Sequence, residues 1–290
     1  MLPFVRTLAI IAACAAVLAP TPVTSAVGVE AGPETGGGTG VGAGVDLLAH
    51  KAVYSLKMGK TDSPGQFLNV GGAVETVMEK TCDAWISAEQ VNMQVTTQSG
   101  GVLRQDLVYT GWESFDGKAY RFAASSSTNG KTTKYRGSAR AHPETAGEAV
   151  YVEPEKITMV LPSGTQFYFG LTSWLIEKAR AGETRAETIV FDGTDEEGPQ
   201  KAIAFIIPLR KNYKHKAQVG GEHLGALVDR PGWIMRIAFY PVDGRAAAPD
   251  YEVQAVVLDN GVTPKLEMVF SSFTAIQTLE KIEAIEKPQC

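Results

Sequence analysis

This 290-residue chain is poor in the residues from which most metal sites and active sites are built. Histidine occurs four times, as His50, His142, His215 and His223, and never as His-x-x-x-His. Cysteine occurs three times, as Cys14, Cys82 and Cys290, and never as Cys-x-x-Cys. Zinc needs a closely spaced set of such ligands, so no metal is expected. No Gly-x-Ser-x-Gly elbow is present, which removes the usual hydrolase nucleophile. Gly71-Gly72, Gly100-Gly101 and Gly220-Gly221 do not open helices, so no phosphate-cradling loop is read from them. The net charge is -5, and the one basic cluster, Leu209 to Lys216, is short. A nucleic-acid surface is therefore not expected, and neither is a cofactor.

A long apolar run is missing too, except at the start. Arg6 precedes an apolar stretch from Leu8 to Leu18, and small residues follow at Thr24-Ser25-Ala26. This is the pattern of a Sec-type signal peptide over residues 1–26, cleaved after Ala26 and too short to span a bilayer. Ile11 to Cys14 loosely mimics a lipoprotein box, but it would leave an apolar core of only about six residues. Residues 27–45 are glycine-rich without hydrophobic periodicity and read as a flexible leader. A single folded domain is expected from Asp46 to residue 290, exported to the periplasm with no transmembrane segment. Removal of Cys14 leaves Cys82 and Cys290 with one intramolecular pairing, and an oxidising compartment favours that disulfide.

What the domain does contain is alternation with a period of two. Ala52, Tyr54, Leu56 and Met58 share one face of a segment, Val91, Met93 and Val95 share another, and Leu266, Met268 and Phe270 a third. Such alternation marks half-buried strands. Ala202 to Ile207 and Trp233 to Tyr240 are continuously apolar, which predicts strands covered on both faces. Asp116-Gly117, Asn129-Gly130, Asp192-Gly193, Asp243-Gly244 and Asn260-Gly261 supply the positive φ angles of tight turns. A parallel sheet would need helix-length crossovers, and these are missing. One helix is predicted at about 172–181, with Gly182 as its C-terminal stop. The expected fold is all-β: a large bent antiparallel sheet whose concave face is covered by that helix.

A curved sheet leaves a groove, and grooves hold apolar ligands. Trp112, Phe167, Tyr168, Phe169, Trp174 and Trp233 are the candidates to line it, with ordinary core as the alternative. Ser125, Ser126 and Ser127 read as loop or strand-end residues rather than a nucleophile. Asp195, Glu196 and Glu197 read as a solvated turn between strands.

Several stretches, taken in order, resemble one family. They are Leu47 to Leu56, Cys82, the hairpin Trp112 to Phe122, the segment Leu161-Pro162-Ser163-Gly164-Thr165 leading to Leu175 to Gly182, and a long tail ending at Cys290. The chain resembles the EipB family of periplasmic cell-envelope integrity proteins over residues 47–290. The resemblance implies a spiral, barrel-like sheet of about fourteen strands and a disulfide between Cys82 and Cys290. It implies no enzymatic activity, a role in envelope integrity, and a periplasmic partner with tetratricopeptide repeats. A carrier of a lipid or apolar peptide is the alternative, by analogy with other curved sheets. The family's Leu-Pro-x-Gly-Thr is followed by a proline and a His-Thr that opens the helix. Here Phe167 to Leu171 intervene, the histidine is missing, and Thr172 remains.

Overall fold

The computed structural model describes residues 45–60, 67–210, 224–269 and 273–290. The predicted signal peptide, the predicted leader up to residue 44, Phe270, His215, His223, Gly220-Gly221 and most of the basic cluster lie outside the described residues.

Eight strands form the first half of the sheet: β1 (His50–Met58), β2 (Phe67–Lys80), β3 (Ala84–Thr97), β4 (Val102–Ser114), β5 (Ala119–Thr128), β6 (Lys131–Arg140), β7 (Gly147–Glu153) and β8 (Thr158–Leu161). One helix, α1 (Tyr168–Arg180), separates them from β9 (Arg185–Val190), β10 (Gln200–Pro208), β11 (Gly232–Pro241), β12 (Tyr251–Leu258), β13 (Lys265–Val269) and β14 (Thr274–Ala284). All fourteen belong to one antiparallel sheet, ordered β8-β7-β6-β5-β4-β3-β2-β1-β14-β13-β12-β11-β10-β9. It is two meanders joined where the first and last strands pair, His50 opposite Ala284 and Met58 opposite Ala275.

The outermost strands are β8 and β9. The chain passes from one to the other through α1, whose start rests on inner-face residues of β3 and β4, Phe169 stacking on Trp85 and its N–H donating to Glu113. On the way, Gln166 bridges Val190: its N–H donates to the Ile189 carbonyl at 2.8 Å, and its carbonyl accepts from the Phe191 N–H at 3.1 Å. That contact covers part of the β9 edge, which a sheet must protect from stray pairing.

The alternation read from the sequence is the alternation of burial. Ala52, Tyr54 and Leu56 point inward from β1, and Val91, Met93 and Val95 from β3. Each Asn-Gly or Asp-Gly pair falls between consecutive antiparallel strands. At the β5–β6 hairpin both residues take positive φ, 49° at Asn129 and 84° at Gly130, as a primed turn needs. Of the continuous apolar runs, Trp233 to Tyr240 buries the consecutive residues Ile237, Ala238 and Phe239, but Ala202 to Ile207 behaves differently from expectation. In β10 Ala202, Ala204 and Ile206 are buried, yet Phe205 and Ile207 are 50% and 60% exposed. An antiparallel sheet covers one face only, and apolar residues on the other are tolerated.

The helix also differs at its start. It begins at Tyr168, four residues before the predicted 172, and Thr172 sits inside it, donating from Oγ1 to the Tyr168 carbonyl at 3.0 Å. Its end matches: Gly182 has φ 79°, its N–H reaches the Ala179 carbonyl at 3.1 Å, and the Glu183 N–H reaches that of Lys178 at 3.0 Å. This is the Schellman closure, which satisfies the last free carbonyls of a helix.

After β14 the chain runs without regular structure to Cys290, which is disulfide-bonded to Cys82 in the β2–β3 turn, 208 residues away in sequence. On the way, Ile285 N–H donates to the Ala49 carbonyl at 2.8 Å and Lys287 pairs with Asp46 at 3.0 Å. In the loop-entropy picture such a closure is worth about 5 kcal/mol.

Candidate functional site on the concave face

The inward side chains line up in rows across the strands, because antiparallel register sets them opposite one another. Glu113 lies opposite Trp85 and Tyr120; Tyr109 lies opposite Glu89 and Ala124; Glu89 lies opposite Thr76. Onto these rows α1 lowers its first turn. Phe167 stacks on Tyr120 with ring centres 4.6 Å apart, and Phe169 stacks on Trp85 at 4.9 Å. Phe122 meets Tyr151 edge-on at 5.0 Å and Phe191 at 5.7 Å. These rings interlock in the offset and edge-on geometries that aromatic quadrupoles favour.

The helix start has no side-chain cap of its own. Glu113 supplies one from β4. Its carboxylate accepts the N–H of Phe169 at 2.7 Å through Oε2 and that of Gly170 at 2.8 Å through Oε1. The first amides of a helix have no intrahelical acceptor, and its N-terminus attracts negative charge. Burial pushes the Glu113 pKa up to about 7, while the two N–H donors pull it back down. This long-range cap explains why α1 starts where no local signal exists.

Other polar groups share the interior. The Tyr109 and Tyr120 hydroxyls bond to each other, Tyr120 Oη donates to the Asp192 carbonyl at 3.3 Å, and Tyr151 Oη donates to that of Asp195 at 2.6 Å. Glu89 is different: it is buried, its Oε1 has no partner, and desolvation raises its pKa to about 8. Ser87 Oγ, two residues along the same face, is also without a partner. Burial pushes the Tyr168 hydroxyl above its usual range, with the charges of Glu89, Tyr54 and Glu113 adding to the effect.

The six aromatic candidates divide. Phe167 and Phe169 are buried core; Tyr168 and Trp174 are half-buried on the same helix, with Lys178 Nζ 5.5 Å from the Trp174 ring centre. Trp233 points inward near the start of β11 and packs against the core without joining the stacked rings. Trp112 does not belong to the group: it faces outward from β4, with the Arg121 guanidinium 4.8 Å over its ring. Its position next to the inward Glu113 dictates this, since successive strand residues face opposite ways.

Glu113, Glu89, Trp85 and Tyr120 were not singled out from sequence. The signal was nonetheless there: extending the alternation of Val91 and Met93 by one step puts Glu89 on the core face. Asp192 and Thr194 are buried although their loop reads as polar; Asp192 Oδ1 accepts both the N–H and hydroxyl of Thr194. Asp195 is half-buried, and Glu196 and Glu197 are exposed. Among the described residues, no three His, Cys, Asp or Glu side chains gather to hold a metal, and no helix is long and apolar enough to cross a membrane.

Among the described residues the fold is an unclosed, barrel-like antiparallel spiral with one helix pinned across its concave face. The chain belongs to the EipB-like family, whose model matches residues 41–286. It is 23% identical over 244 residues to the cell envelope integrity protein EipB of Brucella abortus strain 2308, covering 82% of this chain and 85% of the relative. It also superimposes on the crystal structure of a β-barrel-like protein of a domain of unknown function from Brucella abortus. That match has a TM-score of 0.74 and 21% identity, and covers 83% of this chain and 100% of the other.

Proposed function

We propose that this is a non-enzymatic periplasmic protein that supports cell-envelope integrity by docking a protein partner, a tetratricopeptide-repeat protein being the expected kind. One observation carries the reading. Two of the aromatic side chains expected to line a groove are consumed by packing, Phe167 on Tyr120 and Phe169 on Trp85, which favours recognition on the outer surface. The role named for the Brucella relative agrees with it. The disulfide supports an oxidising location and hence export through the signal peptide at residues 1–26. The domain is taken as residues 46–290.

Deleting the gene should sensitise cells to detergents and cell-wall antibiotics. Unchanged growth under all such stresses would remove the proposal. A second reading, a carrier of a lipid or apolar peptide, is favoured by the partnerless Glu89 Oε1 and Ser87 Oγ, which would meet a polar headgroup near half-buried Tyr168. Native mass spectrometry of the protein from periplasm separates the two: a copurifying lipid or peptide selects the carrier, an empty protein the docking scaffold.

A further inference from the structure

The outer face of β2, β3 and β4 carries a concavity of about 440 Å³ that none of the features above uses. Register explains it. On this face Asn69, Gly71 and Ala73 of β2 lie opposite Thr96, Gln94 and Asn92 of β3, and Gln94 and Asn92 lie opposite Arg104 and Asp106 of β4. Two strands project polar side chains while the third, at Gly71, Gly72 and Ala73, projects almost nothing. The result is a bowl with polar walls and a floor of backbone, the Ala73 methyl group and Met93 beside Gly72.

The two floor glycines have different reasons to exist. A Cβ at Gly72 would lie 2.0 Å from the Asn92 carbonyl oxygen, so the fold itself requires glycine there. A Cβ at Gly71 would meet only Asn69 Nδ2, at 3.9 Å, and its φ is not positive. Glycine in mid-strand is destabilising, and a β-branched residue would serve the sheet better. Nothing in the fold asks for glycine at 71; an open floor does.

The wall chemistry narrows the occupant. Asn69, Asn92 and Gln94 each present a donor beside an acceptor, Arg104 presents paired donors and Asp106 paired acceptors. Asn92 Nδ2 donates to Asp106 Oδ1 at 2.8 Å, which fixes both planes. Arg104 and Asp106 cancel in charge, which disfavours anions and cations alike, and the amides disfavour an apolar ligand. A peptide could not add as a strand, because β2 and β3 are paired on both sides. A neutral polyol fits: its adjacent hydroxyls match planar amide, carboxylate and guanidinium groups, and its C–H face suits a bare floor. The volume lies within the range of about 300–1,000 Å³ usual for small-molecule clefts. We propose that this glycine-floored bowl binds a neutral saccharide, with Asn69, Asn92, Gln94, Arg104 and Asp106 as its hydrogen-bonding wall and Gly71 as its floor.

The test is titration of the isotopically labelled, disulfide-intact protein with chitotetraose, cellotetraose, maltotetraose and tetra-alanine, followed by amide chemical shifts. Saturable shifts confined to residues 69–73, 92–96 and 104–106 with at least one saccharide are expected, and the panel tells an acetamido glycan from a glucan. Gly71→Val should keep or raise the melting temperature and weaken binding at least tenfold; Asp106→Ala should weaken it with the melting temperature little changed. Silence from all three saccharides, binding of tetra-alanine alone, or full binding by Gly71→Val would overturn the proposal. Its failure would leave the envelope role untouched, since that role is read from growth of the deletion strain.

Discussion

Trp112 and Glu113 are neighbours in the chain and belong to different worlds. Trp112 lies on the outer face of β4, half-exposed, with Arg121 over its ring. Glu113 lies on the inner face, 2% exposed, holding the first amides of α1. By type alone the tryptophan belongs in the core and the glutamate in water. The inversion teaches that on a strand parity decides placement before hydrophobicity does. A one-residue slip would exchange the two faces at once. Every inner position of β3 and β4 then becomes a packing or polar-satisfaction problem, and every outer one is left free for recognition.

The comparison predicts a steep asymmetry between faces. Trp85→Ala, on the inner face of β3, removes a buried ring stacked on Phe169 and should cost about 3–5 kcal/mol in a urea titration. A loss below about 1 kcal/mol would mean that α1 does not rest on this face as tightly as its geometry states. Glu113→Ala should follow at about 2–4 kcal/mol, because two helix amides lose their acceptor in a buried site. Glu113→Gln keeps one acceptor oxygen and should recover part of that loss. Hydrogen exchange at Phe169 and Gly170 should accelerate in the alanine variant ahead of global unfolding. If it does not, the cap is incidental.

How much of this was legible in the sequence follows the range of each interaction. Strand periodicity, the five turn dipeptides, the Gly182 stop and the cysteine pairing depend on local spacing or on counting, and they could be read. The start of α1 could not, since its cap is Glu113, more than fifty residues upstream, and the residue immediately before Tyr168 is Phe167, not Ser, Thr or Asp. The two-sided burial expected of Ala202 to Ile207 failed for a related reason: composition does not reveal whether a second layer covers a face, and none of the described elements covers Phe205. The placement of Trp112 was readable by parity from Glu113, but only once the carboxylate was known to point inward. The stacking of Phe167 on Tyr120 joins residues whose proximity depends on the curl of the whole sheet.

Glu89 sharpens the contrast within the inner face itself. It has the same charge and similar burial as Glu113, with no helix to serve. Its folded pKa, about 8, stands above the ordinary value of 4.5. A carboxyl group shifted upward binds its proton more tightly in the folded state, so stability is greatest below the unfolded pKa. It declines as pH rises from about 4.5 towards 8, with a limiting slope of about 1.4 kcal/mol per pH unit. Glu89→Gln should remove that slope and gain stability over the native chain as pH rises. The measurement is the difference between the two melting curves at pH 5, 7 and 9; a constant difference would show that Glu89 finds a partner in solution.

The smallest effect belongs to the outer face. Trp112→Ala should cost no more than about 1 kcal/mol, because the ring is half in water and its specific contact is the exposed Arg121 guanidinium. A double-mutant cycle with Arg121→Ala should return a coupling of about 0.5–1 kcal/mol, and no variant in the cycle should alter hydrogen exchange in α1. A loss comparable to that of Trp85→Ala would break the comparison, since it would require Trp112 to be buried against something in solution. The outer face of β4 would then be an interface in the isolated protein, and Trp112 the residue by which to find what covers it.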